Sequence, residues 1–400
     1  MLIIFIELIK YFLYCLLAIT VFFQGFYLFF SLINEEKKFK FKNSKPLKGP
    51  GDLSIIVPVF NSENTVKRTL RSINRNKTRL INEIVIVNDH STDGSVRVVK
   101  NFINSQKGKN KFIFVNLNSE KTGKVEAISE GIKVIQSKYI LLLDADIILR
   151  RDAIEKLYQT HVTNNNFCTS CLIYPYKKPA TNPLIFQIVC NDRLYRQTIL
   201  KPTRNLFDVA NFPGSIGIIK STDYKKYIKE GFLEDLKATY KIIEKNKKIS
   251  IIPLPLAFEV ERQSLRGLFL QRARWTIGSA ECMGAFCKAI FCSKGYVKKV
   301  LLLSYPITYH IQYYLIFLGL LLPIINFKFV FFDIPLVLYF FQILLSAHIG
   351  KSLFRNSFLG ICLHCLIFPI IITFSLFSAI YFLANKKSFY FKSETLFKRI

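Results

Sequence analysis

Two carboxylates one residue apart, Asp144 and Asp146, close the apolar run Tyr139-Ile140-Leu141-Leu142-Leu143. A pair of this kind can share a hard divalent cation, directly or through water. The run is short and unbroken, the pattern of a strand buried on both faces of a parallel sheet. It follows a segment of helical pattern, Lys124 to Ser137. Open α/β sheets bind ligands at the carboxyl ends of their strands. Mg²⁺ or Mn²⁺ would be held there by one or two carboxylates plus substrate phosphates. By itself Asp-x-Asp is more often a solvated strand end, so its neighbours must decide.

The elements that would position the pair alternate. Leu53–Phe60 reads as a strand, followed by Asn61 and a helical stretch from Ser62 with Val66, Leu70 and Ile73 at helical spacing. Glu83–Val87 reads as a second strand, ending in the polar loop Asn88-Asp89-His90-Ser91-Thr92-Asp93-Gly94. A helix over Val96–Ile103, a strand over Phe112–Val115 and the helix opened by Lys121-Thr122-Gly123-Lys124 lead into the central strand. This alternation predicts a doubly wound parallel sheet whose strand ends bring their polar motifs to one edge.

In this order and spacing, Ser54–Asn61, Asn88–Asp93, Gly123–Ala127 and Asp144–Asp146 resemble a family-2 glycosyltransferase. The implied fold is α/β, a GT-A-type, Rossmann-like nucleotide-sugar domain with a mostly parallel sheet, and no Gly-x-Gly-x-x-Gly loop occurs. Pro213-Gly214-Ser215-Ile216-Gly217 is similar to the family's acceptor-site segment, and Phe232-Leu233-Glu234-Asp235-Leu236 to its acidic pair. Gln271-Arg272-Ala273-Arg274-Trp275 matches the Gln-x-x-Arg-Trp signature of the membrane-bound, often processive branch. That branch makes cellulose, chitin, hyaluronan and poly-N-acetylglucosamine. The resemblance covers about residues 52–280.

The resemblance implies roles. Asp144 and Asp146 would hold the metal, with Asp144 near the phosphates or ribose and Lys124 adding a fixed positive charge. Phe60, Asn61, Glu63, Asn88, Asp89 and Gly123 would form the nucleotide pocket, Phe60 packing on the base and Asn88-Asp89 reading it. Family members usually carry two aspartates at the latter pair, so Asn88 is a departure that loosens the preference for uracil. Asp235 would be the general base of an inverting displacement, supported by Glu234, with Gly214 in the acceptor segment. An acidic pair also suits a helix start. Trp275, the only tryptophan, would stack on the terminal acceptor sugar. Gln271, Arg274 and Trp275 share one helical face, and Arg272 and Arg274 would grip the diphosphate. The bland reading of this segment is an interfacial Trp-Arg belt, with Leu265–Phe291 lying on the cytosolic leaflet.

The hydrophobic fraction of 51% is too high for an ordinary soluble enzyme, and the charged fraction of 21% too high for a pure membrane bundle. Residues 11–33 form an apolar run longer than a signal-peptide core of about 7–15 residues, hence a retained anchor. Three further candidate spans lie near 301–325, 329–349 and 357–384. The chain thus divides into anchor 1–33, basic linker 34–51, catalytic domain 52–262, interface segment 263–297, membrane region 298–385 and basic tail 386–400. Lys37, Lys38, Lys40, Lys42, Lys45 and Lys48 follow the first span, and Lys294, Lys298 and Lys299 precede the second. Basic flanks stay cytoplasmic, which predicts a multi-pass protein of the cell (inner) membrane with a cytosolic catalytic domain. Four spans would put the C-terminus outside, against Lys386, Lys387, Lys392, Lys398 and Arg399.

A net charge of +29 suits a surface held against anionic lipid and drawn to a phosphorylated substrate. No nucleic-acid motif accompanies it. Of nine cysteines, Cys168 and Cys171 have metal-like spacing without a second pair, and read as buried thiols, as do Cys362 and Cys365. The leading expectation is an inverting transferase moving a sugar, UDP-GlcNAc or similar, from its nucleoside diphosphate onto a growing β-linked polysaccharide. Single addition to a lipid-linked or oligosaccharide acceptor is the alternative, followed by a non-catalytic subunit in an export complex. A partner protein completing the exit path is a further expectation.

Overall fold

The computed structural model describes residues 2–35, 52–76, 79–106, 111–118, 123–177, 182–229, 231–261, 264–325, 327–350 and 357–384. The lysines expected to orient the anchor, the basic tail, and Lys121 and Thr122 lie outside them. Among the described residues eight strands form one sheet: β1 Leu53–Val59, β2 Ile81–Asn88, β3 Phe112–Asn116, β4 Tyr139–Leu143, β5 Ile147–Leu149, β6 Cys168–Tyr176, β7 Ile216–Lys220 and β8 Ile249–Val260. Their order is β3-β2-β1-β4-β7-β6-β8-β5.

The first half follows from the sequence alternation. β1 pairs in parallel with β2 and β4, and β2 in parallel with β3. The helices Val66–Arg75, Ser95–Asn104 and Lys124–Lys133 cross between them. β1 and β4 are buried along almost their whole length, which is why both read as unbroken apolar runs. The second half departs from the parallel expectation. β7 runs antiparallel to β4 and β6, and β5 antiparallel to β8. Six strands point one way and two the other, a mixed, mostly parallel GT-A-type, Rossmann-like sheet. Turning β7 round brings its first residues, not its last, to the edge where β4 ends.

Each sheet face carries its own core. Leu53, Ile55, Val57, Leu141 and Leu143 face one way, against Val66, Leu70, Val99 and Phe102. Ile56, Val85, Val87, Ile140 and Leu142 face the other, against Ala127, Ile128, Phe212 and Ile242. The alternation along β1 and β4 is the period-2 pattern of a strand.

A continuous helical run lies beside β6 and β8: Pro183–Leu194, a π-helical Tyr195–Leu200, and Lys201–Leu206. The interface segment holds two helices, Leu265–Glu281 and Met283–Cys292, that meet at Cys282. Among the described residues four helical segments are long and apolar enough to cross a membrane: Glu7–Ile33, Tyr296–Ile324, Val330–Ile349 and Phe358–Ser378. Phe22, Phe29, Phe341, Phe374 and Phe377 point outward from them, as lipid requires. Their polar groups turn inward. Gln24 Nε2 donates to the Pro335 carbonyl at 3.1 Å, and Gln342 Nε2 donates to the Gln24 carbonyl at 2.8 Å. The N-terminal helix is therefore packed into the C-terminal bundle.

Gly217 of β7 has no room for a side chain, since a β-carbon there would stand 2.2 Å from Cε2 of the fully buried Phe212. Gly217→Ala should cost about 1–3 kcal/mol through displacement of that ring, read as a lowered Tm of the detergent-solubilised protein. An unchanged Tm would show that Phe212 is free to move.

Candidate active site

The strand ends converge on one amine. Lys124 opens its helix directly after Gly123, whose φ of 129° only glycine adopts readily. Lys124 Nζ lies 2.6 Å from Asp144 Oδ1 and 2.8 Å from Oδ2, donates to the Gly214 carbonyl at 3.0 Å, and stands 3.8 Å from Glu234 Oε1. Lys124 thus stands as a cation at the centre of the cluster. The Asp144 N–H donates to the Ser215 carbonyl at 2.9 Å, locking the end of β4 to the start of β7. Gly214 then donates its own N–H to Asp235 Oδ2 at 3.0 Å. A β-carbon on Gly214 would stand 3.2 Å from Glu234 Oε1 and 3.4 Å from Lys124 Nζ, so the close approach of backbone and charges needs this glycine.

Glu234 and Asp235 begin the helix Glu234–Glu244. Asp235 Oδ1 accepts from the N–H of Leu236 at 2.8 Å, so the residue serves the helix start and faces the cluster at once. Burial raises the proton affinity of Asp144, Lys124 opposes it, and Glu259 and Asp235 add to the rise. Burial raises Glu234 in the same way, with Lys124 and Arg274 opposing and Asp235 adding. Burial opposes the charge on Lys124, yet Asp144 and Glu234 hold its ammonium well above the usual lysine range. With Lys124 in place the site still carries surplus carboxylate. Hard oxygen donors with unbalanced negative charge fit a divalent cation. Among the described residues no three or more His, Cys, Asp or Glu side chains form a ready-made metal cage. Asp144 and Asp146 would therefore share an ion with substrate phosphates rather than enclose it.

On the nucleotide side Phe60 is exposed at the end of β1, outside the core. Asn61 and Glu63, expected in the pocket, bind the neighbouring loop instead. Asn61 Oδ1 accepts from the N–H of Thr92 at 2.8 Å, and Glu63 Oε2 from that of Gly94 at 3.1 Å. Asn88 and Asp89, expected to read the base, are buried. Asn88 Nδ2 donates to Asn116 Oδ1 at 3.1 Å while its oxygen accepts from the N–H of Ser91 at 3.2 Å. An aspartate at position 88 could not make that donation, and Asn116 would have to turn its amide to donate in its place. Asp89 Oδ2 accepts from the N–H of Gly123 at 2.9 Å and so sets the turn that delivers Lys124.

The helix Leu265–Glu281 carries Gln271, Arg274 and Trp275, all half-buried. The charge of Arg274 acts on Glu234. Arg272 is buried and its Nη2 donates to Asp192 Oδ2 at 2.5 Å, so its expected grip on a diphosphate is corrected to an internal ion pair. Sequence reading passed over Asp192, Arg193 and Arg196, although three charges within an otherwise apolar helical run were the available signal. It also passed over Glu259 and Glu261, which hold Arg193 at 2.8 and 2.6 Å. Cys168 and Cys171 are buried in β6, and burial pushes the Cys171 thiol up to about 12.

Residues 54–222 match the family model described as glycosyl transferase family 2. Over 251 residues the chain is 25% identical to poly-beta-1,6-N-acetyl-D-glucosamine synthase of Staphylococcus aureus (strain MSSA476), covering 58% of this chain and 55% of the relative. The Staphylococcus epidermidis synthase of the same name is 26% identical with the same coverage, 58% and 55%. The chain thus spans about half the length of these curated relatives. Mannosyltransferase PcManGT from Pyrobaculum calidifontis, in complex with GDP-Man and Mn²⁺, superposes with a TM-score of 0.49 at 15% identity, over 93% of this chain and 99% of that one.

The raised proton affinity of Glu234 has a measurable sign. Its contribution to stability is complete below its ordinary value of 4.5 and is lost as pH rises through the raised value. Glu234→Gln removes this loss, so the variant's Tm relative to wild type should climb as pH goes from about 4 to neutrality. A difference that stays flat with pH would place Glu234 outside the charged cluster.

Proposed function

Residues 54–222 form a glycosyl transferase family 2 domain, and from that premise we propose that this glycosyltransferase is a membrane-embedded, inverting polysaccharide synthase. It takes a nucleoside-diphosphate sugar, UDP-GlcNAc or similar, from the cytosol and extends a β-linked N-acetylglucosamine polymer. The observation that carries the reading is the convergence of Asp144, Lys124, Gly214, Glu234 and Asp235 on one site beside the Gln-x-x-Arg-Trp helix. The resemblance to poly-beta-1,6-N-acetyl-D-glucosamine synthases supports the choice of sugar.

The donor's diphosphate lies toward Lys124 and Arg274, whose charges favour the leaving group over the intact ester. Asp144 and Asp146 would hold Mg²⁺ or Mn²⁺, which when bound neutralises charge on the departing diphosphate. Phe60, exposed at the strand end, offers its ring to the base. Asp235 accepts the proton of the acceptor hydroxyl as that oxygen bonds to the anomeric carbon and the carbon–phosphate-oxygen bond breaks. Two backbone N–H groups, of Gly214 and Leu236, orient the Asp235 carboxylate and leave it further lone pairs for that proton. Glu234, with its raised proton affinity, steadies Lys124 instead. Trp275 supports the terminal acceptor sugar. The domain faces the cytosol of a multi-pass inner-membrane protein, and a partner protein completes the path outward.

Membranes incubated with radiolabelled UDP-GlcNAc and Mg²⁺ should yield high polymer, and EDTA should abolish it. A single lipid-linked adduct would instead favour one-step addition, and no product with any UDP-sugar would favour a non-catalytic subunit. Asp235→Asn should lower transfer by at least about 10²-fold while UDP binding persists, and loss of both together would make Asp235 structural. Trp275→Ala should weaken use of an oligosaccharide acceptor more than acceptor-free donor hydrolysis, and an equal fall in both would remove the acceptor role.

A further inference from the structure

We propose that Asp192 is a positioning residue that holds the Trp275 ring in place and thereby sets the affinity of the site for its acceptor. The inference rests on the reading of Trp275 given above and names what fixes that ring. Asp192 is buried near the end of Pro183–Leu194, and its two oxygens are taken by two guanidinium groups. Oδ1 accepts from Arg196 Nε at 2.8 Å, and Oδ2 from Arg272 Nη2 at 2.5 Å. Both guanidinium groups lie over the indole, Arg272 at 4.1 Å and Arg196 at 5.2 Å from its centroid. Planar cations fixed by one carboxylate fix in turn the aromatic face they cover.

Two further observations point the same way. Arg272 Nε and Nη1 are buried without a hydrogen-bond partner. Buried donors are rarely left so; here the group is oriented for Asp192 and the ring at the expense of its remaining hydrogen bonds. The backbone is also unusual. Arg196 belongs to the π-helical Tyr195–Leu200, and its guanidinium also covers Tyr309, 4.6 Å away, in the π-helical Ile307–Ile311. π turns are rare and concentrate at functional sites. Arg196 joins both to the one tryptophan, linking the catalytic domain, the Gln-x-x-Arg-Trp helix and a membrane span at a single ring.

Because the chain has one tryptophan, its fluorescence reports this ring alone. In the purified full chain, Asp192→Asn should shift the emission and raise acrylamide quenching. It should also raise KM for short β-linked N-acetylglucosamine oligosaccharides roughly tenfold, more than it lowers kcat, and Asp192→Glu should restore part of both. Wild-type quenching and KM in Asp192→Asn would overturn the proposal. Altered fluorescence with unchanged acceptor KM would leave the clamp standing and overturn the acceptor role of Trp275. Absence of transfer by the wild-type chain would overturn the enzymatic reading, while fluorescence would still test the clamp. Should Asp192→Asn fail to fold, Arg196→Lys keeps a cation beside Asp192 but removes the planar group from the ring. Wild-type fluorescence there would overturn the proposal.

Discussion

The site depends on one amine among carboxylates. Asp144 ends β4, Gly214 precedes β7 and Glu234 begins a helix, three places far apart in the chain, and Lys124 touches or faces all of them. Without a cation between them, Asp144, Glu234 and Asp235 would repel one another in a half-buried cleft, and the cheapest relief would be protonation. Lys124 keeps the cluster assembled at neutral pH, and the carboxylate surplus that remains leaves the site receptive to more positive charge. The glycines on either side serve the same end. Gly123 permits the turn that delivers the lysine, and Gly214 lets a carbonyl and an N–H reach into the cluster.

The membrane region is joined to this domain by polar contacts rather than a greasy seam alone. Arg204 is fully buried, donates to Tyr27 Oη at 2.8 Å and to Thr308 Oγ1 at 2.5 Å, and lies 3.8 Å from the Tyr305 ring centroid. Those partners come from the first and second spans. Directional bonds of this kind fix the angle at which the catalytic domain meets the helices, which apolar packing by itself would leave less defined.

Much of the first half was legible because its strands are buried on both faces and their ends carry polar motifs in a readable order. β4 is an unbroken apolar run, β1 is interrupted only by Ser54 and Pro58, β2 carries the apolar stretch Ile84–Val87, and Asp144 follows directly on β4. β6 was hidden by Cys168, Thr169, Ser170 and Cys171, polar or small residues that a buried strand tolerates because its hydroxyls find carbonyl partners, as Ser170 does at Ile216. The direction of β7 could not be read, since nothing in Ile216-Gly217-Ile218-Ile219-Lys220 marks which way the strand runs. Asn61, Glu63, Asn88 and Asp89 illustrate a different limit. Their types suit a ligand, and only their hydrogen bonds reveal that they hold the loops around the site. Arg272 is the sharpest case: its place in the motif is unchanged, but a carboxylate 80 positions earlier captures it.

The bonds between Gln24 and the C-terminal helices bear on how the protein is made. Residues separated by 311 and 318 positions are partners there. Gln24 thus gains these partners only once Pro335 and Gln342 have been made.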